Sequence, residues 1–140
     1  MPSKIGKYQI SRELGRGSMG TVYAAHDPFS ERPVALKVAH PQYAGSDESG
    51  QRFRKLFFNE ARAAGLLHHP NILRVFDADM DGDICYLVME YVDKACTLAE
   101  FTRTDTLLPV RELVGIVYNI AKALDYAHRQ GVIHRDIKPS

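Results

Sequence analysis

Three stretches of this 140-residue chain carry side chains whose type and spacing suit chemistry on phosphate. The first is Gly15-Arg16-Gly17-Ser18-Met19-Gly20. Glycines in a short loop tolerate φ > 0 and remove Cβ obstruction, so backbone N–H groups can approach phosphate oxygens. Taken alone, the pattern also describes a flexible hairpin turn without a ligand. The residues that follow separate three phosphate motifs. A dinucleotide fingerprint needs a helix, whose N-terminus holds the pyrophosphate, but Thr21-Val22-Tyr23-Ala24-Ala25 is β-branched and aromatic, as strands are. A P-loop needs a lysine directly after its last glycine, and Thr21 stands there. A strand–loop–strand flap of the form G-x-G-x-x-G-x-V is matched at Gly15, Gly17, Gly20 and Val22.

The second stretch is Val34-Ala35-Leu36-Lys37-Val38-Ala39. Alternation puts Ala35, Lys37 and Ala39 on one face of a strand. Small neighbours there leave room for a ligand beside the amine; the plainer reading is a lysine facing solvent. Glu60 bears on the choice, because it falls in the apolar stripe of a predicted helix with Phe53, Phe57, Ala64 and Leu67. An unpaired carboxylate in such a stripe is costly, and Lys37 is the best-placed cation. The alternative is a solvated Glu60 at the stripe's edge. The third stretch is His134-Arg135-Asp136-Ile137-Lys138-Pro139. Asp136 offers a proton acceptor and Lys138 a positive charge; a loop carboxylate bonded to Arg135 or to nearby backbone is the alternative.

These residues need elements to position them. Residues 8–14, 21–25, 33–39, 72–77 and 84–91 read as strands, with a turn at Asp27-Pro28-Phe29-Ser30 and a hairpin signal at Asp81-Gly82. Residues 41–50 read as a polar, mobile loop. Residues 51–67 read as a helix that Pro70 prevents from continuing. Thr97 to Glu100 matches a capping box. Residues 111–130 form a second helix with Leu113, Val117, Ile120, Leu124 and Ala127 at helical spacing. Its end carries His128 and Arg129, and Gly131 stands at C′. Strands precede helices without βαβ alternation, so the class is α+β with a five-stranded antiparallel sheet and one inserted helix.

Composition excludes other classes. Lys plus Arg is 18 and Asp plus Glu is 17, a net charge of +1, which argues against nucleic-acid or membrane-surface binding driven by bulk charge. Apolar residues are 45% and charged residues 25%, ordinary globular usage. No apolar run approaches the ~20 residues of a membrane helix. Residues 1–7 have no apolar segment of the secretory kind. Cys85 and Cys96 form neither metal spacing nor a redox motif, which fits a reducing cytosol.

In order along the chain, Gly15-x-Gly17-x-x-Gly20-x-Val22, Val34-Ala35-Leu36-Lys37, Glu60 and His134 to Pro139 resemble the eukaryotic-type protein kinases, and most nearly the bacterial serine/threonine kinases. Leu66 to Ile72 and Tyr86 to Val92 strengthen the likeness, and Lys138 two residues after Asp136 is similar to the serine/threonine pattern. The resemblance implies a kinase N-lobe at 1–92 and the start of a C-lobe at 93–140. It implies ATP as the bound nucleotide, with Leu14, Gly15, Gly17, Gly20, Val22 and Ala35 enclosing it. Met89 would be the gatekeeper, and backbone groups of Glu90 and Val92 would hold the adenine edge. Lys37 would hold the α- and β-phosphates and pair with Glu60 when its helix is swung in. Asp136 would accept or orient the hydroxyl proton of a serine or threonine in a protein substrate. Lys138 would stabilise the transferring phosphate, and Arg135 would dock a phosphorylated loop. His134 would be packed, not a metal ligand or base.

The asparagine and the DFG aspartate that bind Mg²⁺ in the family are not in this sequence, so no metal ligand is expected within it. The 140 residues alone are expected to be inactive, a fragment of a larger cytoplasmic kinase that self-associates through exposed apolar helix faces. The alternative is a non-catalytic, kinase-like module that binds nucleotide or partners.

Overall fold

The computed structural model describes residues 2–43, 45 and 47–140. They form two compact units, one made of residues 1–66 and 73–91, the other of 67–72 and 92–140.

The first unit is a six-stranded antiparallel sheet with a helix. The strands are β1 (Lys4–Ile5), β2 (Tyr8–Arg16), β3 (Gly20–Asp27), β4 (Arg32–Ala39), β5 (Val75–Asp81) and β6 (Ile84–Glu90), in spatial order β1-β2-β3-β4-β6-β5. The expected five strands are present, and β1 is an addition. Two residues carry too little periodicity to be read, and Ile5 declares itself only by being buried against the core. The strand expected at 72–77 instead runs to Asp81, because the turn is Gly82-Asp83, with Gly82 at φ 59° and Asp81 opposite Ile84.

Register explains the core. Tyr23 opposes Leu36, Ala25 opposes Val34, and Leu36 opposes Val88. These side chains share one face and pack with Ile5, Tyr8, Val38 and Tyr86 into a single buried cluster. Gly6 N–H donates to Asp81 Oδ2 at 2.8 Å, tying the β1–β2 turn to the end of β5. This bond links the turn beside one edge strand to the end of the other edge strand.

Parts of the predicted loop at 41–50 form regular elements. Residues Pro41–Tyr43 make a 3-10 turn, and helix α1 (Glu48–Gly65) starts three residues earlier than the periodicity predicts. Its N-cap is Asp47, whose Oδ1 accepts from Gly50 N–H at 2.9 Å. Gly50 is required there, since a Cβ would collide with the Gly45 carbonyl. Ala44 and Ser46 lie outside the described residues.

The second unit holds a 3-10 turn at Leu98–Phe101 and helix α2 (Val110–Arg129). Glu100 closes the expected box by accepting from Thr97 N–H at 3.0 Å. At the end of α2, Gly131 N–H bonds the His128 carbonyl and Val132 N–H bonds the Ala127 carbonyl, both at 2.9 Å, with Gly131 at φ 79°. That is a Schellman stop, which only a residue at ease in the left-handed region supports. It turns the chain into the His134–Ser140 segment.

Candidate functional site

Strand register gathers the predicted binding residues on the face of the sheet opposite the core. Val22 pairs with Lys37 and Lys37 with Leu87, while Ala24 pairs with Ala35 and Ala35 with Met89. Directly opposed residues share a face, as do residues two apart on one strand. Val22, Ala35, Lys37, Leu87 and Met89 thus form one patch. Ala35 is buried, Val22, Leu87 and Met89 are half-buried, and Lys37 is exposed. The patch is apolar with one cation at its end. Leu87 was not anticipated, although counting back two residues from Met89 finds it. Glu90 ends β6, and its N–H donates to the Arg74 carbonyl at 2.8 Å. That N–H is therefore not free to read an adenine edge. Val92 belongs to the second unit.

The glycine loop joins β2 to β3 at the Lys37 end of this face. Leu14, Gly15 and Gly17 are exposed and Gly20 is buried. None of the three glycines has a positive φ, contrary to the expected use of their backbone freedom. What they supply is space. A Cβ on Gly20 would strike the Val38 carbonyl, whereas Gly15 has no atom within 4 Å of that position. Gly17 N–H donates to the Gly20 carbonyl at 2.9 Å, which folds the loop on itself. His40, just past β4, was not anticipated either. Its N–H donates to the Met19 carbonyl at 3.1 Å, and its Nε2 lies 2.8 Å from the Gly17 carbonyl. Beside the loop, Arg16 bonds Glu13 at 3.0 Å and holds that carboxyl below its usual range.

The expected Lys37–Glu60 pair is not formed. Glu60 is exposed, and among the described residues neither group has an ion-pair partner. Phe58, Ala61, Arg62 and Gly65 of α1 line a cavity of about 360 Å³ together with residues 75–78 of β5. The expected stripe of Phe53, Phe57, Ala64 and Leu67 is offset from that side, and Leu67 lies beyond the helix. Glu60 therefore sits at the flank, the solvated alternative.

In the second unit, Asp136 Oδ2 lies 3.2 Å from Lys138 Nζ, with both side chains exposed. Asp136 N–H donates to His134 Nδ1 at 3.1 Å. His134 is exposed, not packed as expected. Arg135 between them has φ 66°, a left-handed backbone for a non-glycine residue. The Pro139 carbonyl accepts from Ala99 N–H at 3.0 Å and anchors the segment. Asp136 is thus held by a cation two residues away, not by Arg135. No group of three or more His, Cys, Asp or Glu among the described residues could hold a metal ion. No helix among them is long and apolar enough to cross a membrane.

Residues 8–140 match the sequence model of a family described as "Protein kinase domain". The chain is 41% identical over 134 residues to the serine/threonine-protein kinase PrkC of Bacillus subtilis, covering 96% of this chain and 20% of PrkC. It is 37% identical over 143 residues to the serine/threonine-protein kinase PknB of Mycobacterium leprae, covering 99% and 22%. Among solved structures, the Mycobacterium tuberculosis PknI kinase domain superposes with a TM-score of 0.80 at 37% identity, over 99% of this chain and 56% of that one. The chain thus spans about a fifth of the curated relatives' length.

Proposed function

The chain belongs to the protein kinase domain family, and on that premise we propose that it supplies the ATP-binding half of a cytoplasmic serine/threonine protein kinase. The observation that carries the reading is the single face holding Val22, Ala35, Leu87, Met89 and Lys37 beside the glycine loop. Flat apolar side chains with one small residue suit a purine ring, and an amine at the end of the patch suits the phosphates. Residues 1–92 are the nucleotide lobe of this reading, and 93–140 open the second lobe.

Phosphoryl transfer passes through a loose, charge-rich transition state, so positioning and electrostatics dominate its catalysis. Lys37 neutralises the α- and β-phosphates. Asp136 accepts or orients the proton of a serine or threonine hydroxyl, and Lys138 faces the moving phosphoryl group. Arg135 docks a phosphorylated segment. In the arrangement described, Asp136 is occupied by Lys138 and Glu60 does not engage Lys37, so substrate and nucleotide must displace the first contact and the second must form. Mg²⁺ accompanies ATP in this family, bound in general by one or two carboxylates together with the nucleotide's phosphates, and no step is assigned to it. The 140 residues are expected to bind nucleotide, and phosphate transfer by them alone is not expected.

The test is calorimetry with ATP on the wild type and on Lys37→Met. Loss of a charged phosphate contact is expected to weaken binding by about 1–3 kcal/mol. Equal affinity in a folded variant places Lys37 outside the site and overturns the reading.

A further inference from the structure

We propose that His40 is a positioning residue that pins the glycine loop in its nucleotide-ready shape. The inference rests on the ATP-binding reading above and assigns a task to a residue outside the patch. The loop's two ends are fixed by different means. The exit is fixed by space, because Gly20 lies so close to the Val38 carbonyl that no side chain fits. The entry continues the β2–β3 ladder, with Gly15 opposite Val22 and Arg16 opposite Thr21. Between them, Gly17, Ser18 and Met19 are all exposed and belong to no strand. Apart from the internal bond of Gly17 N–H to the Gly20 carbonyl, the hydrogen bonds that hold the backbone of this tip among the described residues come from His40. Its N–H takes the Met19 carbonyl and its Nε2–H takes the Gly17 carbonyl.

Holding the two carbonyls on the His40 side has a chemical consequence. A loop that cradles phosphate must aim N–H groups at the anion and keep carbonyl oxygens away from it. By occupying the Gly17 and Met19 oxygens, His40 fixes which side of each peptide is left to the ligand. The ring is suited to this because Nε2 donates in the imidazolium and in the corresponding neutral tautomer. Pro41 supports the geometry, since a residue before proline is restricted to extended backbone. A lysine or serine here would offer a donor on a freer stem.

The experiment compares wild type, His40→Ala and His40→Gln, in which the glutamine amide can replace the ring donor. Hydrogen exchange of the 16–20 segment reports the pin without nucleotide, and titration with ATP reports its consequence. His40→Ala is expected to raise exchange in that segment and the ATP dissociation constant by about fivefold, the scale of one hydrogen bond. His40→Gln is expected to restore both to within about twofold, while exchange in β4 stays unchanged in all three. Unaltered loop exchange in His40→Ala overturns the pin. Faster exchange with unaltered ATP affinity overturns its positioning role. A wild type that binds no ATP overturns the functional reading instead, and the exchange data still decide whether the pin exists.

Discussion

Tyr8 and Tyr86 meet edge to face with ring centroids 6.0 Å apart, and burial pushes both phenols up to about 12. Asp27, Asp77 and Asp79 add to the shift at Tyr8; Asp79, Asp77 and Asp81 add to it at Tyr86. The unfolded phenol titrates near 10. A native value above the unfolded one contributes stability that is complete below pH ~10 and lost as pH rises towards about 12. In a spectrophotometric titration, two of the seven tyrosines are expected to ionise late, together with unfolding. Seven phenols titrating as one group near pH 10 would contradict the buried pair. Asp27 works in the other direction. Burial raises its carboxyl, but hydrogen bonds from Phe29 N–H and from the Ser30 side chain and backbone outweigh that and lower it. Its contribution is present at neutral pH and disappears as pH falls through the depressed value, so Asp27→Asn is expected to flatten the acid limb of a stability–pH curve below pH ~4. Individual residues were unevenly legible in the sequence. Lys37 and Ala35 follow from alternation, Val22 from the glycine pattern, and Met89 only from the family resemblance. His40 did not, because its function is a bond across twenty-three residues to a loop carbonyl, and no local pattern encodes that.

Helix α1 is the element whose sequence and placement diverge. Its periodicity predicts a stripe containing Glu60, yet Glu60 is exposed while Phe53, Phe57 and Ala64 of the same stripe are half-buried. Phe53 is stacked on Tyr43 at 4.5 Å, and Phe57 and Phe58 meet edge to face. These ring contacts absorb the apolar face locally and leave Glu60 to solvent. A double-mutant cycle on stability follows from this. With no bond between the partners, Lys37→Met and Glu60→Gln are expected to add within about 0.5 kcal/mol in the nucleotide-free protein. A coupling clearly above that would mean the pair is closed in solution. The strands were easier to read, since glycine, proline and Asp-Gly punctuation marks their ends. Only β1 was missed, and β5 runs Val75–Asp81 where 72–77 was expected, a shift of three residues at its start and four at its end.

At the scale of the molecule, the two units differ in how completely they cover their apolar surface. The first has a closed core, whereas α2 leaves Leu113, Val114, Val117 and Tyr118 between 42% and 63% exposed. An apolar stripe of that extent marks a surface that associates. The 140 residues are expected to enhance the emission of an apolar-surface dye and to sediment as more than a monomer at high concentration. Leu113→Lys with Val117→Lys should reduce both effects; a dye-silent, monomeric wild type would remove this expectation. Division into a sheet-rich and a helical part was readable from the order of elements. The bond that ties the β1–β2 turn to the end of β5 was not, because it joins Gly6 to Asp81, seventy-five positions apart. This separation has a bearing on biosynthesis. A ribosome adding about 5–20 residues per second delivers the amide donor roughly 4–15 s before its carboxylate acceptor exists. During that interval the opening strand must wait with its seam unsewn.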